Sequence, residues 1–109
     1  MKYQLPFFIF SVFISFASFS QRTIKGQVVN AVSGEPLPGS SVFINGSSIG
    51  TVADNNGRFE LNNIPSGRYE LIVSLVGYET NVFGFTSGQL PLNLKIEMRH
   101  IKGFNPFVN

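Results

Sequence analysis

Residues 68–76 read RYELIVSLV. In an extended chain Tyr69, Leu71, Val73 and Leu75 fall on one side and Glu70, Ile72, Ser74 and Val76 on the other, because successive strand side chains point to opposite faces. Both sides carry apolar residues, which predicts a strand placed centrally in its sheet. The same period of about two extends in both directions along the chain. Upstream, Ile24, Gly26 and Val28 alternate with Lys25 and Gln27, and residues 41–44 (SVFI), 51–53 (TVA) and 58–61 (RFEL) make three further short strands. Downstream lie residues 80–85 and 92–98, the last alternating Leu92, Leu94, Ile96 and Met98 against Asn93, Lys95 and Glu97.

Turn residues punctuate these strands. Residues 30–39 (NAVSGEPLPG) form a loop, since their glycines and prolines do not hold a ladder. Asn45-Gly46 suits the positive φ angles of a tight hairpin turn. Residues 54–57 (DNNG) and 62–67 (NNIPSG) make two further turns. Seven short strands with no amphipathic helix predict an all-β fold, a seven-stranded antiparallel sandwich, because each sheet needs a second layer over its apolar face.

The chain of 109 residues holds one small domain. It has no cysteine, which removes disulfides, cysteine-ligated zinc, thiol catalysis and a lipidated N-terminal cysteine. One histidine and six carboxylates are little material for an active site. No cofactor, metal site or catalytic residue is expected. The basic residues are scattered and form no patch interleaved with aromatics, so nucleic acid is not an expected partner.

Residues 1–20 differ from the rest. Lys2 is their single charge, and residues 5–19 (LPFFIFSVFISFASF) are apolar or small throughout. This run falls short of the roughly 20 apolar residues that span a bilayer. A basic start, an apolar centre and small residues at Ser18 and Ser20 predict a secretory signal peptide cleaved between Ser20 and Gln21, with Ala17 as a second possible site. The expected organisation is a signal peptide at 1–20, a sandwich domain at 21–99 and a C-terminal tail at 100–109. The mature part is near neutral and does not span the membrane.

Three motifs imitate functional sites. Gly46-Ser47-Ser48-Ile49-Gly50 fits G-x-S-x-G, with Asp54 and His100 following in triad order, but a nucleophile elbow needs a helix after the serine and here a short strand follows. Residues 54–57 lack the ligand spacing and flanking helices of an EF-hand. His100 has no second histidine or cysteine to join it and is read as solvated. Phe83 and Phe85 share one strand face and are read as core, while Phe104 and Phe107 around Pro106 are apolar residues without an assigned place.

A series of motifs also resembles the carboxypeptidase regulatory-like domain. It runs through Gly26-Gln27-Val28, Gly34-Glu35-Pro36-Leu37-Pro38-Gly39, Val42, Gly50-Thr51-Val52-Ala53-Asp54-Asn55-Asn56-Gly57-Arg58-Phe59, Ile64-Pro65-Ser66-Gly67-Arg68-Tyr69-Glu70-Leu71 and Val73-Ser74-Leu75-Val76-Gly77-Tyr78-Glu79. The resemblance covers about residues 22–99 and implies a transthyretin-like (prealbumin-like) sandwich. The version with GYE after the long strand is similar to those of Bacteroidetes cell-envelope proteins, among them N-terminal modules of TonB-dependent outer-membrane receptors. Plug and barrel are missing from residues 1–109, so transport is not among the expectations.

Within the matching set, Gly26, Gly50, Thr51, Asp54, Gly57, Phe59, Gly67, Tyr69, Gly77 and Tyr78 are expected to act structurally. Asp54 opens a turn whose carboxylate accepts nearby amide hydrogens, Gly57 takes positive φ, and Phe59 enters the core beside Leu61. Gly77 re-aims Tyr78, whose hydroxyl needs a partner. The expected function is a non-enzymatic, exported interaction module in the periplasm, outer membrane or cell surface, with another envelope protein as partner. The alternatives are the detached leading module of a TonB-dependent receptor for nutrient uptake, and a carbohydrate-binding accessory domain resting on exposed aromatics.

Overall fold

Alternating apolar residues and glycine-bearing turns give the strands in a computed structural model that describes residues 21–102. The strands are β1 (Ile24–Asn30), β2 (Ser41–Ile44), β3 (Gly50–Val52), β4 (Arg58–Leu61), β5 (Arg68–Ser74), β6 (Asn81–Thr86) and β7 (Leu92–Met98), with one 3-10 turn at Ser87–Gln89 before β7. They form two sheets, one ordered β4-β1-β7 and the other β3-β2-β5-β6. As its two apolar sides require, β5 lies inside its sheet, between β2 and β6. The core between the sheets takes Ile24 and Val28 from β1, Val42 and Ile44 from β2, Phe59 and Leu61 from β4, Leu71 and Val73 from β5, Phe85 from β6, and Ile96 and Met98 from β7.

One pairing departs from the antiparallel expectation. β1 and β7 run parallel, from Ile24 opposite Leu92 to Asn30 opposite Met98, whereas the other four pairings are antiparallel. The reason lies in the connection. β6 ends beside the start of β5, with Arg68 opposite Thr86, and Ser87 N–H donates to Gly67 O at 2.8 Å. From this end the chain crosses to the other sheet, where Leu92 N–H donates to Thr23 O at 3.0 Å. β7 therefore starts at the same end as β1 and rises beside it. Alternation within a strand is the same for either pairing direction, so the sequence pattern carries no sign of this choice.

Backbone pairing continues beyond Arg99. Glu79 N–H donates to Arg99 O at 2.8 Å, Ile101 N–H donates to Gly77 O at 2.9 Å, and His100 bridges to Tyr78. His100 and Ile101, placed in the expected tail, thus pair with the segment that follows β5. An isolated bridge at a sheet's end leaves no alternating pattern to read.

Candidate functional site

The residues singled out from the sequence fall into separate places. Gly26 lies under Phe59: a Cβ there would sit 2.7 Å from the ring's Cζ and 2.6 Å from Leu94 O, so the close approach of β7 and the ring demands glycine. Gly57 has φ +74° and is buried, and its carbonyl accepts Val28 N–H at 2.7 Å, tying the turn to β1. Asp54 Oδ1 accepts the amide hydrogens of Asn56 at 2.8 Å and Arg58 at 2.9 Å, and these two bonds hold its carboxyl below the usual carboxylate range. Phe59 and Leu61 are both buried.

Gly50 and Thr51 sit in β3, opposite Phe43 and Val42. Gly67 precedes β5, where the Tyr69 hydroxyl donates to Ser66 O at 3.0 Å and the Tyr69 ring packs 5.9 Å from that of Phe85. Gly77, at φ +92°, turns the chain so that Asn30 Nδ2 donates to the Tyr78 hydroxyl at 3.3 Å. Gln21 is exposed, and Ser20 with the rest of residues 1–20 lies outside the described residues.

The triad-like residues sit in different local settings. Ser48 precedes β3 and Asp54 follows it, its Oδ1 bonded within its own turn. His100 is exposed, as expected of a solvated histidine, and its ring is stacked on Tyr78, centroids 4.2 Å apart. No group of three or more His, Cys, Asp or Glu able to hold a metal ion occurs among the described residues. Among the same residues, no helix is long and apolar enough to cross a membrane.

What the fold does offer is surface of two kinds. On the outside of the β4-β1-β7 sheet the register sets Glu60, Lys25 and Asn93 in one row and Arg58, Gln27 and Lys95 in the next. These residues line an open groove of about 720 Å³. The other sheet presents apolar residues: Phe43, Ile72 and Val82 lie in one row, and Val82 is 56% exposed.

The sheet edges differ in the same way. β7 ends its sheet with Asn93, Lys95 and Glu97 pointing outward, and such charges discourage a foreign strand from pairing. β6 ends the other sheet with the six residues NVFGFT, which contain neither charge nor proline. At Gly84, in the middle of β6, a Cβ would meet nothing within 4 Å, so no neighbour in the domain explains the glycine. The sequence hides this edge, because which strand ends a sheet is a property of topology.

A profile of the CarboxypepD_reg-like domain matches residues 24–102. The chain belongs to the CarboxypepD_reg-like domain family. Relatives of this CarboxypepD_reg-like chain include TonB-dependent receptor P39 of Formosa agariphila, 33% identical over 98 residues, or 84% of this chain and 9% of the receptor. They also include TonB-dependent receptor SusC of Bacteroides thetaiotaomicron, 36% identical over 72 residues, or 65% of this chain and 7% of the receptor. The chain thus spans less than a tenth of the length of these curated relatives.

Among solved structures, a chain of a type II cohesin–X-dockerin complex from Acetivibrio cellulolyticus superposes with a TM-score of 0.59 at 25% identity, covering 72% of this chain and 57% of that one. The 5-hydroxyisourate hydrolase of Klebsiella pneumoniae superposes at 0.58 with 19% identity, covering 72% and 90%, and shares the fold.

Proposed function

We propose that this CarboxypepD_reg-like domain is an exported, non-catalytic module of the bacterial cell envelope that joins another envelope protein by strand addition at the free edge of β6. The observation that carries the proposal is that edge itself: six residues without charge or proline, with a glycine at its centre facing open space. A row of unpaired backbone N–H and C=O groups supplies affinity to an incoming strand, and the side chains on either face supply choice. The kinship with TonB-dependent receptors supports an envelope location. Asp54 engaged in its own turn and His100 stacked on Tyr78 support a non-catalytic reading.

A second reading is supported by the lengths. A chain that matches 9% and 7% of two TonB-dependent receptors suits the leading module of an outer-membrane receptor. The carbohydrate reading finds less support, because Phe85 is buried and Phe83 packs against the core, leaving neither ring free to stack on a sugar.

Intact mass after fractionation into periplasm, outer membrane and medium separates the first two readings. A free species beginning at Gln21, which then retains an envelope protein in a pull-down, supports the stand-alone module. Occurrence only within a much larger outer-membrane polypeptide overturns it in favour of the receptor module.

A further inference from the structure

The alternation of hydrogen bonds between β5 and β6 decides which backbone groups of the β6 edge are free. Ser87 N–H donates to Gly67 O, and the same register sets Thr86 opposite Arg68 and Phe85 opposite Tyr69. Bonded and non-bonded pairs alternate along an antiparallel ladder, so Phe85, Phe83 and Asn81 bond to β5. Val82, Gly84 and Thr86 then turn their N–H and C=O groups away from it. The far side of β5 agrees, since Asn45 N–H donates to Glu70 O and Glu70, opposite Gly84, directs its groups to β2. Thr86 N–H is already taken, because it donates to Gln89 Oε1 at 2.7 Å. Among the described residues, Val82 and Gly84 are left with both groups unpaired, one on each side of Phe83.

That pattern is its own complement. We propose that a second copy of this chain fills the edge, its β6 antiparallel to the first about a two-fold axis at Phe83. Val82 then lies opposite Gly84 of the second copy, Gly84 lies opposite its Val82, and each bonded pair exchanges two hydrogen bonds. Every free N–H and C=O of the two residues is satisfied. An axis at Gly84 instead sets Val82 against Thr86, whose N–H is occupied, and an axis at Val82 sets Gly84 against Thr80, outside the strand.

The side chains fit the same axis. Phe83 packs against the core but is only half-buried at the edge of its sheet. Across the axis the two Phe83 residues form a non-bonded pair, in which side chains come closest. On the outer face Val82, 56% exposed, comes beside Gly84, the glycine that no contact within the domain explains. The strand carries no charge, so two copies bring no like charges together. The other edges suit a copy of themselves less: β4 carries Arg58 and Glu60, β7 carries Lys95 and Glu97, and β3 has three residues. The contact uses the same patch on both copies and closes on itself, joining the two four-stranded sheets into one. The inference rests on the reading that the β6 edge takes a strand, and it names that strand.

The chain has no cysteine, so introduced thiols report on this register alone. Two full-length chains with different C-terminal tags are co-expressed, one carrying Val82→Cys and the other Gly84→Cys, and the cells are treated with a mild oxidant. Val82 is exposed and a Cβ at Gly84 meets nothing within 4 Å, so both changes leave the fold intact. The expected product is a reducible dimer carrying both tags, because opposite residues of a bonded pair have Cα atoms about 5.5 Å apart, within disulfide range. Neither variant is expected to link to itself, as its cysteines then sit on a diagonal about 7–8 Å long. Absence of the two-tag dimer, or self-linked dimers in equal yield, overturns the proposal. If the two-tag dimer is absent while Val82→Lys still lowers recovery of an envelope partner, β6 remains a docking edge and only its occupant is wrong. If recovery is unaffected as well, both readings fail.

Discussion

The ring of Tyr78 lies on the imidazole of His100, centroids 4.2 Å apart and planes 28° from parallel. The contact closes the domain, because Tyr78 follows the Gly77 turn after β5 while His100 follows β7 in the other sheet. The hydroxyl of the same tyrosine accepts a hydrogen bond from Asn30 at the end of β1. Tyr78 thus fastens three segments at one end of the sandwich. In denaturant unfolding Tyr78→Phe is expected to lose about 1 kcal/mol with the hydrogen bond. His100→Ala is expected to lose about 0.5–1.5 kcal/mol with the stack. A double-mutant cycle on Tyr78→Ala and His100→Ala that finds the two effects additive removes the stack from the account.

Two strand glycines call for opposite outcomes. Gly26→Ala drives a methyl group against the Phe59 ring and Leu94 O, and overpacking of this kind costs about 1–3 kcal/mol. Gly84→Ala meets no atom within 4 Å and removes the entropic penalty of a strand glycine, so it is expected to be neutral or to stabilise by about 0.5–1 kcal/mol. Thermal melts of the two variants decide this, and equal destabilisation by both contradicts the packing assigned to Gly26.

That contrast also separates what the sequence reveals from what it conceals. Residues 68–74 and 92–98 announce their strands and inward faces through alternation, and Asp54 with Gly57 announces its turn, because each is a local pattern within a few residues. The first pattern runs on through Leu75 and Val76, where the strand has ended. Gly26 and Gly84 look alike in sequence, since the difference between them is a ring from β4 and a carbonyl from β7. The parallel pairing of β1 with β7, the stack on His100 and the bare edge at β6 are likewise contacts between residues far apart in the chain. They depend on which strand lies beside which, and alternation says nothing of that.

Acid should loosen the turn at Asp54. Amide hydrogens of Arg58 and Asn56 favour the ionised carboxylate and hold its folded value below the usual 3.8. A folded value below the unfolded one means that the contribution is present above the unfolded value and is lost as pH falls through the folded one. The melting temperature is therefore expected to fall as pH drops from about 4 downward. Asp54→Asn retains an acceptor oxygen and should flatten this part of the pH profile, whereas Asp54→Ala lowers stability at neutral pH as well. An Asp54→Asn profile as steep as that of the unaltered protein would place the acid sensitivity elsewhere.

The edge of β6 should be separable from stability. Val82 is 56% exposed and faces outward, so Val82→Lys is expected to change unfolding free energy by no more than about 0.5 kcal/mol. The same charge placed on a bare edge opposes an incoming strand, as Lys95 does on β7. In a pull-down from envelope extract Val82→Lys should therefore recover less partner, while Lys95→Thr, on the other edge, recovers as much as the unaltered chain. Equal recovery with Val82→Lys, from a protein that melts normally, takes the binding surface away from β6. Loss with Lys95→Thr instead moves it to the β4-β1-β7 face, where Lys95 shares a row with Gln27 and Arg58.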